Sequence, residues 1–216
     1  MIIAIDGLAG SGKSSTAKKL ADKLGFNYFS TGKMYRAITC YAINNSLIKG
    51  LPHSLKNHIK SLKIELLGKN FNKIILNDKN YNTEIYSTKV NKYVSSVSSI
   101  SYVRNKMVKI QREVSKNNNI VCEGRDIGTV VFPDADFKFF FKADLKSRVE
   151  RRYLDMKNLD SLITKNKLKE MIRARDLKDI NRKISPLKRA KDAVLLITTN
   201  MKLEEQIDFI YKKVKQ

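Results

Sequence analysis

Short apolar runs and segments of helical period alternate along most of this chain. Residues 2–6 form an apolar run that predicts a buried strand, and residues 13–24 repeat apolar side chains at helical spacing. Gly25 then predicts the C-terminus of that helix. A second strand near 26–29 and a helix from Gly32 to about 46 follow, so the chain opens with a βαβα arrangement.

The pattern changes in the middle of the chain and then returns. Residues 62–67 and 72–77 predict strands on either side of a turn at 68–70, so we expect a small β-containing insertion there. The later elements are predicted as helices at 87–97 and 102–116, strands at 119–123 and 137–142, helices at 145–157 and 165–178, a strand at 193–197 and a helix from about 203. Strands that alternate with helices favour a parallel sheet covered on both faces, which is an α/β fold.

Composition places the chain among globular proteins. Its 216 residues are enough to build one compact domain with lobes. A hydrophobic content of 42% and only three prolines are typical of a folded rather than a disordered chain. No run approaches the roughly 18 apolar residues that span a bilayer, and the first residues lack the basic region of a signal peptide. Cys40 and Cys122 lie far apart, outside the spacing of a zinc or disulfide framework. We therefore expect a cytoplasmic protein without a membrane partner.

A phosphate-binding motif follows the first predicted strand. The sequence Gly-Leu-Ala-Gly-Ser-Gly-Lys-Ser at residues 7–14 matches G-x-x-x-x-G-K-[ST] between a strand and a helix. In that context the backbone N–H groups of the loop form an anion nest at a helix N-terminus. Lys13 is expected to reach the β- and γ-phosphates, and the Ser14 hydroxyl to ligate Mg²⁺. The predicted ATP-binding residues are Gly7, Leu8, Ala9, Gly10, Ser11, Gly12, Lys13, Ser14 and Ser15.

The motif predicts ATP and Mg²⁺ but does not identify the group that is phosphorylated. The chain contains no Asn-Lys-x-Asp tetrapeptide, which disfavours a GTPase. Glu123 follows an apolar strand, where P-loop folds place an acid near the metal. Two interpretations of Glu123 stay open: it contacts Mg²⁺ through water, or it is a strand-end acid paired with a Lys or Arg.

The charge of the chain limits the choice of partner. A formal net charge of +22 attracts polyanions, including nucleic acids. The basic residues are spread along the whole chain rather than gathered in one arm. This distribution favours phosphorylated small molecules over nucleic acid as the acidic partners.

Arginines are the second candidate group. Transfer between two phosphates needs no general base, because the attacking oxygen is already anionic, so catalysis depends on positioning and charge neutralisation. Bidentate arginines suit that task, although an isolated arginine is usually a solvated surface charge. Gly124-Arg125-Asp126 stands out because it follows a buried strand, and α/β sheets bind ligands at the carboxyl ends of their strands.

Three blocks of sequence resemble the bacterial cytidylate kinase family. They are residues 31–36 (Thr-Gly-Lys-Met-Tyr-Arg), residues 123–135 (Glu-Gly-Arg-Asp-Ile-Gly-Thr-Val-Val-Phe-Pro-Asp-Ala) and Arg175-Asp176-x-x-Asp179-x-x-Arg182. With the phosphate loop they run in family order from residue 2 to about 210. The resemblance implies a P-loop three-layer α/β sandwich with a core at about 1–49, 87–147 and 165–216. It also implies a nucleoside-monophosphate-binding insertion at about 50–86 and a short helical lid at about 148–164.

The resemblance also implies roles for individual residues. Arg36, Arg125 and Arg182 would hold the acceptor phosphate, Ser95, Arg104 and Asp126 would read the cytosine edge, and Arg175 and Asp179 would meet the ribose. The implied CMP-binding set is Thr31, Arg36, Ser95, Arg104, Gly124, Arg125, Asp126, Arg175, Asp179 and Arg182, and the implied catalytic set is Lys13, Arg125, Arg148, Arg152 and Arg182. Arg148, Arg151 and Arg152 resemble lid arginines, and we expect them not to be buried without a ligand. Tyr86 stands where the family commonly has Arg.

Simpler interpretations of two of these assignments stay open. Ser95 lies in a serine-rich stretch and would otherwise be a hydroxyl on a helix surface. Arg175 and Asp179, four residues apart, would otherwise form a helix salt bridge.

The resemblance implies an ATP- and Mg²⁺-dependent enzyme that phosphorylates CMP and dCMP to CDP and dCDP in pyrimidine nucleotide metabolism. We expect it to be a cytoplasmic monomer. Two alternatives remain open. The first is a kinase that acts on UMP or on a metabolite hydroxyl, with Asp126 as the base. The second is a basic P-loop ATPase that binds nucleic acid.

Overall fold

The computed structural model describes residues 1–157 and 163–216. The strands are β1 (Ile2–Gly7), β2 (Asn27–Ser30), β3 (Ile64–Leu67), β4 (Lys73–Leu76), β5 (Lys79–Asn80), β6 (Ile120–Glu123), β7 (Phe137–Lys142) and β8 (Val194–Ile197). The helices are α1 (Lys13–Leu24), α2 (Thr31–Asn44), α3 (His53–Ser61), α4 (Thr88–Ser98), α5 (Ser101–Ser115), α6 (Leu145–Met156), α7 (Lys165–Asn181) and α8 (Leu203–Lys215). Part of the predicted lid, residues 158–162, lies outside the described residues.

The chain divides into two compact units, and the first contains residues 1–26 and 121–216. In this unit β6, β1, β7 and β8 lie side by side in that order. β1 pairs in parallel with β7, with Ile3 opposite Phe137, and β7 pairs in parallel with β8. The Gly124 N–H donates to the Ile5 carbonyl at 3.0 Å, so the carboxyl ends of β6 and β1 are adjacent. The predicted α/β fold with a parallel sheet is confirmed.

The apolar strand runs are buried as their sequence requires. Ile3 and Ile5 of β1 and Phe139 and Phe141 of β7 have almost no exposed surface, which is typical of strands covered on both faces. Helix α1 ends at Gly25, whose φ of 69° is left-handed and whose N–H reaches the carbonyls of the last turn. The predicted helix end is therefore confirmed.

The second unit contains residues 27–120. Its small sheet is antiparallel in the order β3-β4-β5, with Ile64 opposite Leu76, which confirms the predicted β-containing segment. The sequence pattern predicted neither α3 nor β5. Helix α3 buries Leu55 and Ile59, one turn apart, and this is too short a stripe to establish a helical period. Strand β5 is two exposed residues.

Within residues 1–157 and 163–216, we find no helix with the length and apolar character needed to cross a membrane.

Candidate functional site

Glycines shape the loop between β1 and α1. Gly7 has a φ of 144°, and a Cβ there would lie 2.2 Å from the Phe141 carbonyl oxygen of β7. Gly12, directly before α1, has a left-handed φ of 95°. A larger residue would strain the backbone at both positions, so these glycines allow the loop to lie against the sheet and turn into the helix.

Lys13 is folded back over this loop. Its side chain is 4% exposed, and Nζ donates to the Leu8 carbonyl at 2.7 Å and to Ser11 Oγ at 3.5 Å. Burial, reinforced by the charge of Arg125, lowers the pKa of Lys13 well below its ordinary value, although Glu123 opposes the shift. A bound phosphate would favour the charged form of the amine. Lys13 therefore lies where the motif predicts a phosphate-binding lysine.

Asp6 is a site residue that the sequence analysis missed. Its buried carboxylate accepts the Ile127 N–H through Oδ1 and the Gly128 N–H through Oδ2, both at 2.8 Å. These bonds hold the π-helical turn Ile127–Val131, which follows Gly124-Arg125-Asp126. Burial raises the pKa of Asp6 to about 6, the two backbone hydrogen bonds oppose the rise, and the charge of Asp126 adds to it. The available signal was a carboxylate between an apolar strand and a glycine loop.

The raised pKa of Asp6 predicts a pH dependence of stability. Because its folded pKa of about 6 exceeds the ordinary value of 3.8, the protonated form stabilises the fold below 3.8, and this contribution is lost as the pH rises through about 6. The full rise in the pKa of Asp6 corresponds to a change of about 3 kcal/mol in the free energy of unfolding. Urea unfolding between pH 4 and 7 should show that Asp6→Asn loses this part of the pH dependence. Asp22→Asn, on the exposed face of α1, is the control, and an unchanged pH slope in Asp6→Asn would contradict the assignment.

Asp179 of α7 lies at the centre of an arginine cluster. Its carboxylate accepts a hydrogen bond from Arg125 Nε at 2.9 Å, and Arg175 and Arg182 approach to 3.9 Å. Burial alone would raise the pKa of Asp179, but the three guanidinium charges outweigh it and lower the pKa. Arg182 Nη2 also lies 3.4 Å from Asp126 Oδ1. The structure thus brings together the predicted residues Arg125, Asp126, Arg175, Asp179 and Arg182.

The Arg175–Asp179 contact at 3.9 Å is the helix salt bridge that the sequence also allowed, and Arg125 and Arg182 add to it. Gly124 contributes its carbonyl, which accepts from Arg125 Nη1 at 3.2 Å. Three guanidinium groups face the carboxylates of Asp126 and Asp179, and the charge of Glu123 also acts on Arg125. Arginine donors of this kind bind phosphate oxygens with defined geometry.

The expectation that Arg148 would not be buried is wrong. It is 6% exposed, and it donates to the Ala143 carbonyl and the Ala9 carbonyl, both at 3.1 Å, and to the Asp176 carboxylate. These acceptors replace water around the charge, which makes burial possible. Its neighbours are half-buried. Arg151 donates to the carbonyls of Thr198 and Thr199, whereas Arg152 has no hydrogen-bond or ion-pair partner within the described part of the chain.

Arg36 is buried on α2 of the second unit, where Thr31 is the buried first residue of the helix. Arg36 Nη1 donates to the Ile85 carbonyl at 2.9 Å and to Asn91 Oδ1 at 2.8 Å. The ring centre of Tyr86 lies 5.4 Å from its guanidinium carbon, within the range of a cation–π contact. Tyr86, the departure from the family pattern, therefore packs against a predicted phosphate-binding residue.

Arg104 of α5 is a second buried arginine of the second unit. It is 2% exposed, donates from Nη1 to the Ser98 carbonyl at 3.1 Å, and lies 5.3 Å from the ring centre of Tyr35. Ser95 is half-buried one turn before Ser98 on α4, and its carbonyl accepts the Ser98 hydroxyl at 3.2 Å. Arg104 is thus held against the C-terminal end of the helix that carries Ser95.

A parallel sheet, a glycine loop opening a helix and a buried lysine over that loop define a P-loop nucleotide-binding protein. The chain belongs to the cytidylate kinase family, whose sequence model matches residues 3–216. It is therefore a kinase that phosphorylates a nucleoside monophosphate, and this class of enzyme uses ATP as the phosphoryl donor.

Individual relatives agree with this assignment. The chain is 41% identical over 216 residues to the cytidylate kinase of Fusobacterium nucleatum subsp. nucleatum. This alignment covers 100% of the present chain and 98% of the relative. It is 43% identical over 213 residues to the cytidylate kinase of Acholeplasma laidlawii, and this alignment covers 99% of the present chain and 94% of the relative. A solved structure of an uncharacterized protein from Eubacterium ventriosum is similar at a TM-score of 0.54 and 13% sequence identity. The superposition covers 100% of the present chain and 99% of the other chain, and at this identity it shows the fold alone.

Proposed function

We propose that this kinase transfers the γ-phosphoryl group of ATP to CMP and dCMP with the help of Mg²⁺, forming CDP and dCDP. It acts as a cytoplasmic monomer in pyrimidine nucleotide metabolism and has no nucleic-acid partner. The observation that carries the proposal is that Gly124, next to Arg125, donates its N–H to the Ile5 carbonyl at 3.0 Å, which places the Asp179 cluster beside the strand that leads into the phosphate loop. In agreement with this, the charges of Arg125 and Arg175 contribute to the lowered pKa of Lys13. Transfer between two phosphates requires the donor and acceptor sites to be adjacent.

Each group has a role that its chemistry supports. Lys13 neutralises the transferred phosphoryl group, and Arg125 and Arg182 hold the acceptor phosphate beside it. Arg152, half-buried in α6, adds charge during transfer. Arg175 and Asp179 bind the ribose, and the remaining acceptor contacts are assigned to Thr31, Arg36, Ser95, Arg104, Gly124 and Asp126. We also propose that residues 50–86 bind the monophosphate and that residues 148–164 act as a lid.

The residues present fit a magnesium ion held mainly by nucleotide phosphates. Ser14 is exposed in the first turn of α1 and presents a hydroxyl there, next to Lys13. Glu123 is buried at the end of β6, close enough for its charge to act on Lys13. Mg²⁺ usually keeps several waters and few protein ligands, so one hydroxyl and one water-mediated carboxylate suit it. When bound, the ion would neutralise charge on the phosphates.

An acceptor panel tests this proposal. With ATP and Mg²⁺, ADP release should be measured for CMP, dCMP, UMP, AMP, GMP and no acceptor. We expect kcat/KM for CMP to exceed that for UMP at least about tenfold, which is 1.4 kcal/mol. Ser95→Ala should narrow the difference in kcat/KM between CMP and UMP by lowering the value for CMP, because the cytosine amino group would lose a hydrogen-bond acceptor. Ser96→Ala, exposed on the same helix, is the matched control.

Equal use of UMP and CMP would reject the proposed base preference. Phosphorylation of a metabolite hydroxyl would favour the alternative in which Asp126 acts as a base. ATP hydrolysis stimulated by RNA or DNA, with a steep salt dependence, would favour the nucleic-acid-binding alternative.

A further inference from the structure

Asp176 of α7 is a buried carboxylate that the proposed function does not use. It is 7% exposed, and both oxygens are engaged by other parts of the first unit. Oδ1 accepts the backbone N–H of Ala9, in the middle of the phosphate loop, at 3.1 Å. Oδ2 forms the ion pair with the Arg148 guanidinium. One carboxylate therefore joins α7 to the phosphate loop and to α6.

Arg148 completes a closed set of hydrogen bonds. Its Nη1 donates to the Ala9 carbonyl as well as to Asp176, and its Nε donates to the Ala143 carbonyl just before α6. The N–H and the C=O of Ala9 are thus both fixed, one by each member of the ion pair. Removing one partner of a buried ion pair leaves an uncompensated charge, so the set resists opening.

Packing holds the same part of the loop. Ala9 lies in an apolar cluster with Val149 of α6 and with residues of and before α7 (Ile163, Leu168 and Ile172). Gly10 has a left-handed φ of 74°, and a Cβ there would lie 3.2 Å from the Arg148 carbonyl oxygen. The loop therefore packs closely against α6, and a side chain at Gly10 would require the loop or the helix to shift.

We propose that Asp176 is a positioning residue for ATP binding. Its carboxylate fixes Ala9 and orients Arg148, and together they hold the glycine loop in the conformation that receives phosphates. Arg148 then acts by holding the loop, in contrast to the lid role that the family resemblance implied. The inference rests on the proposed use of ATP as the donor, but it does not depend on which base the acceptor carries.

The decisive variant is Asp176→Asn. Asparagine keeps the shape and can still accept the Ala9 N–H, but its amide group presents donors to the donors of Arg148. Calorimetry without an acceptor should show the dissociation constant for ATP rising about tenfold, because buried donors lose their acceptor. The dissociation constant for CMP should stay near the wild-type value. The matched control is Asp208→Asn, which removes the carboxylate of the exposed ion pair to Lys23 at 2.6 Å in the same unit and should leave ATP affinity unchanged.

A second substitution tests the link through Arg148. In an Arg148→Met background, Asp176→Asn should not weaken ATP binding further, because the opposed donors are gone and the amide removes the buried charge that Arg148→Met leaves unpaired. If Asp176→Asn does not fold, Arg148→Lys is tested instead. Lysine keeps the positive charge but lacks the planar guanidinium that donates to both the Ala9 and the Ala143 carbonyls, so ATP binding should weaken.

Three results would overturn the inference. They are wild-type ATP affinity in the variant that is tested, additive effects in the double variant, or a parallel loss of ATP and CMP affinity with a lower melting temperature, which is the signature of a merely structural role. Failure of the proposed function is distinct, because it would appear in the wild-type acceptor panel.

Discussion

Replacing Lys13 with alanine is expected to lower kcat by about 100- to 1,000-fold while the protein stays folded. Preorganised donors aimed at developing negative charge contribute about 3–4 kcal/mol to transition-state stabilisation. Lys13 is the buried cation of the loop, and its amine has acceptors nearby that it can exchange for phosphate oxygens. The fold should survive, because the Leu8 carbonyl also accepts the Ser11 hydroxyl at 2.9 Å and keeps that bond in the variant.

The measurement is steady-state turnover of ATP and CMP, together with a thermal melt of each variant. Lys18→Ala is the control, since Lys18 is exposed on the same helix and the substitution removes the same charge. Near-wild-type turnover of Lys13→Ala would reject the phosphate-binding role of the loop. A melting temperature far below that of Lys18→Ala would instead show that the amine is needed for folding.

The parts of the site that are continuous in sequence were the easiest to predict. The phosphate loop lies between one strand and one helix, so the spacing of its glycines and lysine is enough to predict it from the sequence. The parallel sheet followed from the alternation of apolar runs and helical periods. Helix α3 was missed because its buried face consists of two residues, and two positions do not define a period.

Contacts between distant residues were beyond sequence reasoning. Arg125 was identified from its position after a buried strand and Asp179 through the family resemblance. They are 54 positions apart, and their hydrogen bond depends on how α7 packs. The Asp176 contact with Ala9 spans 167 positions and has no local signal. The error over Arg148 has the same origin. A guanidinium is expected in solvent unless a partner is known, and its partner lies on another helix.

The largest effect expected in the second unit is that of Arg104→Met on the use of CMP. Cytosine presents acceptors at N3 and O2, which the guanidinium would satisfy with two donors, whereas uracil presents an N–H at position 3. Hydrogen bonds to charged groups contribute about 1.5–3 kcal/mol, so the KM for CMP should rise about 10- to 100-fold. Methionine keeps most of the length and apolar volume of the buried side chain and removes its donors.

The KM for ATP should change much less in Arg104→Met, because the ATP-binding residues are assigned to the phosphate loop of the first unit. Arg112→Met, exposed on the same helix, removes the same charge and should leave both constants near wild type. The preference for CMP over UMP should also shrink, since the lost donors serve acceptors that cytosine offers at N3 and uracil does not. If Arg104→Met keeps the wild-type KM for CMP, or if its KM values for CMP and ATP rise equally, Arg104 does not read the base. Its hydrogen bond to the Ser98 carbonyl would then be a structural contact.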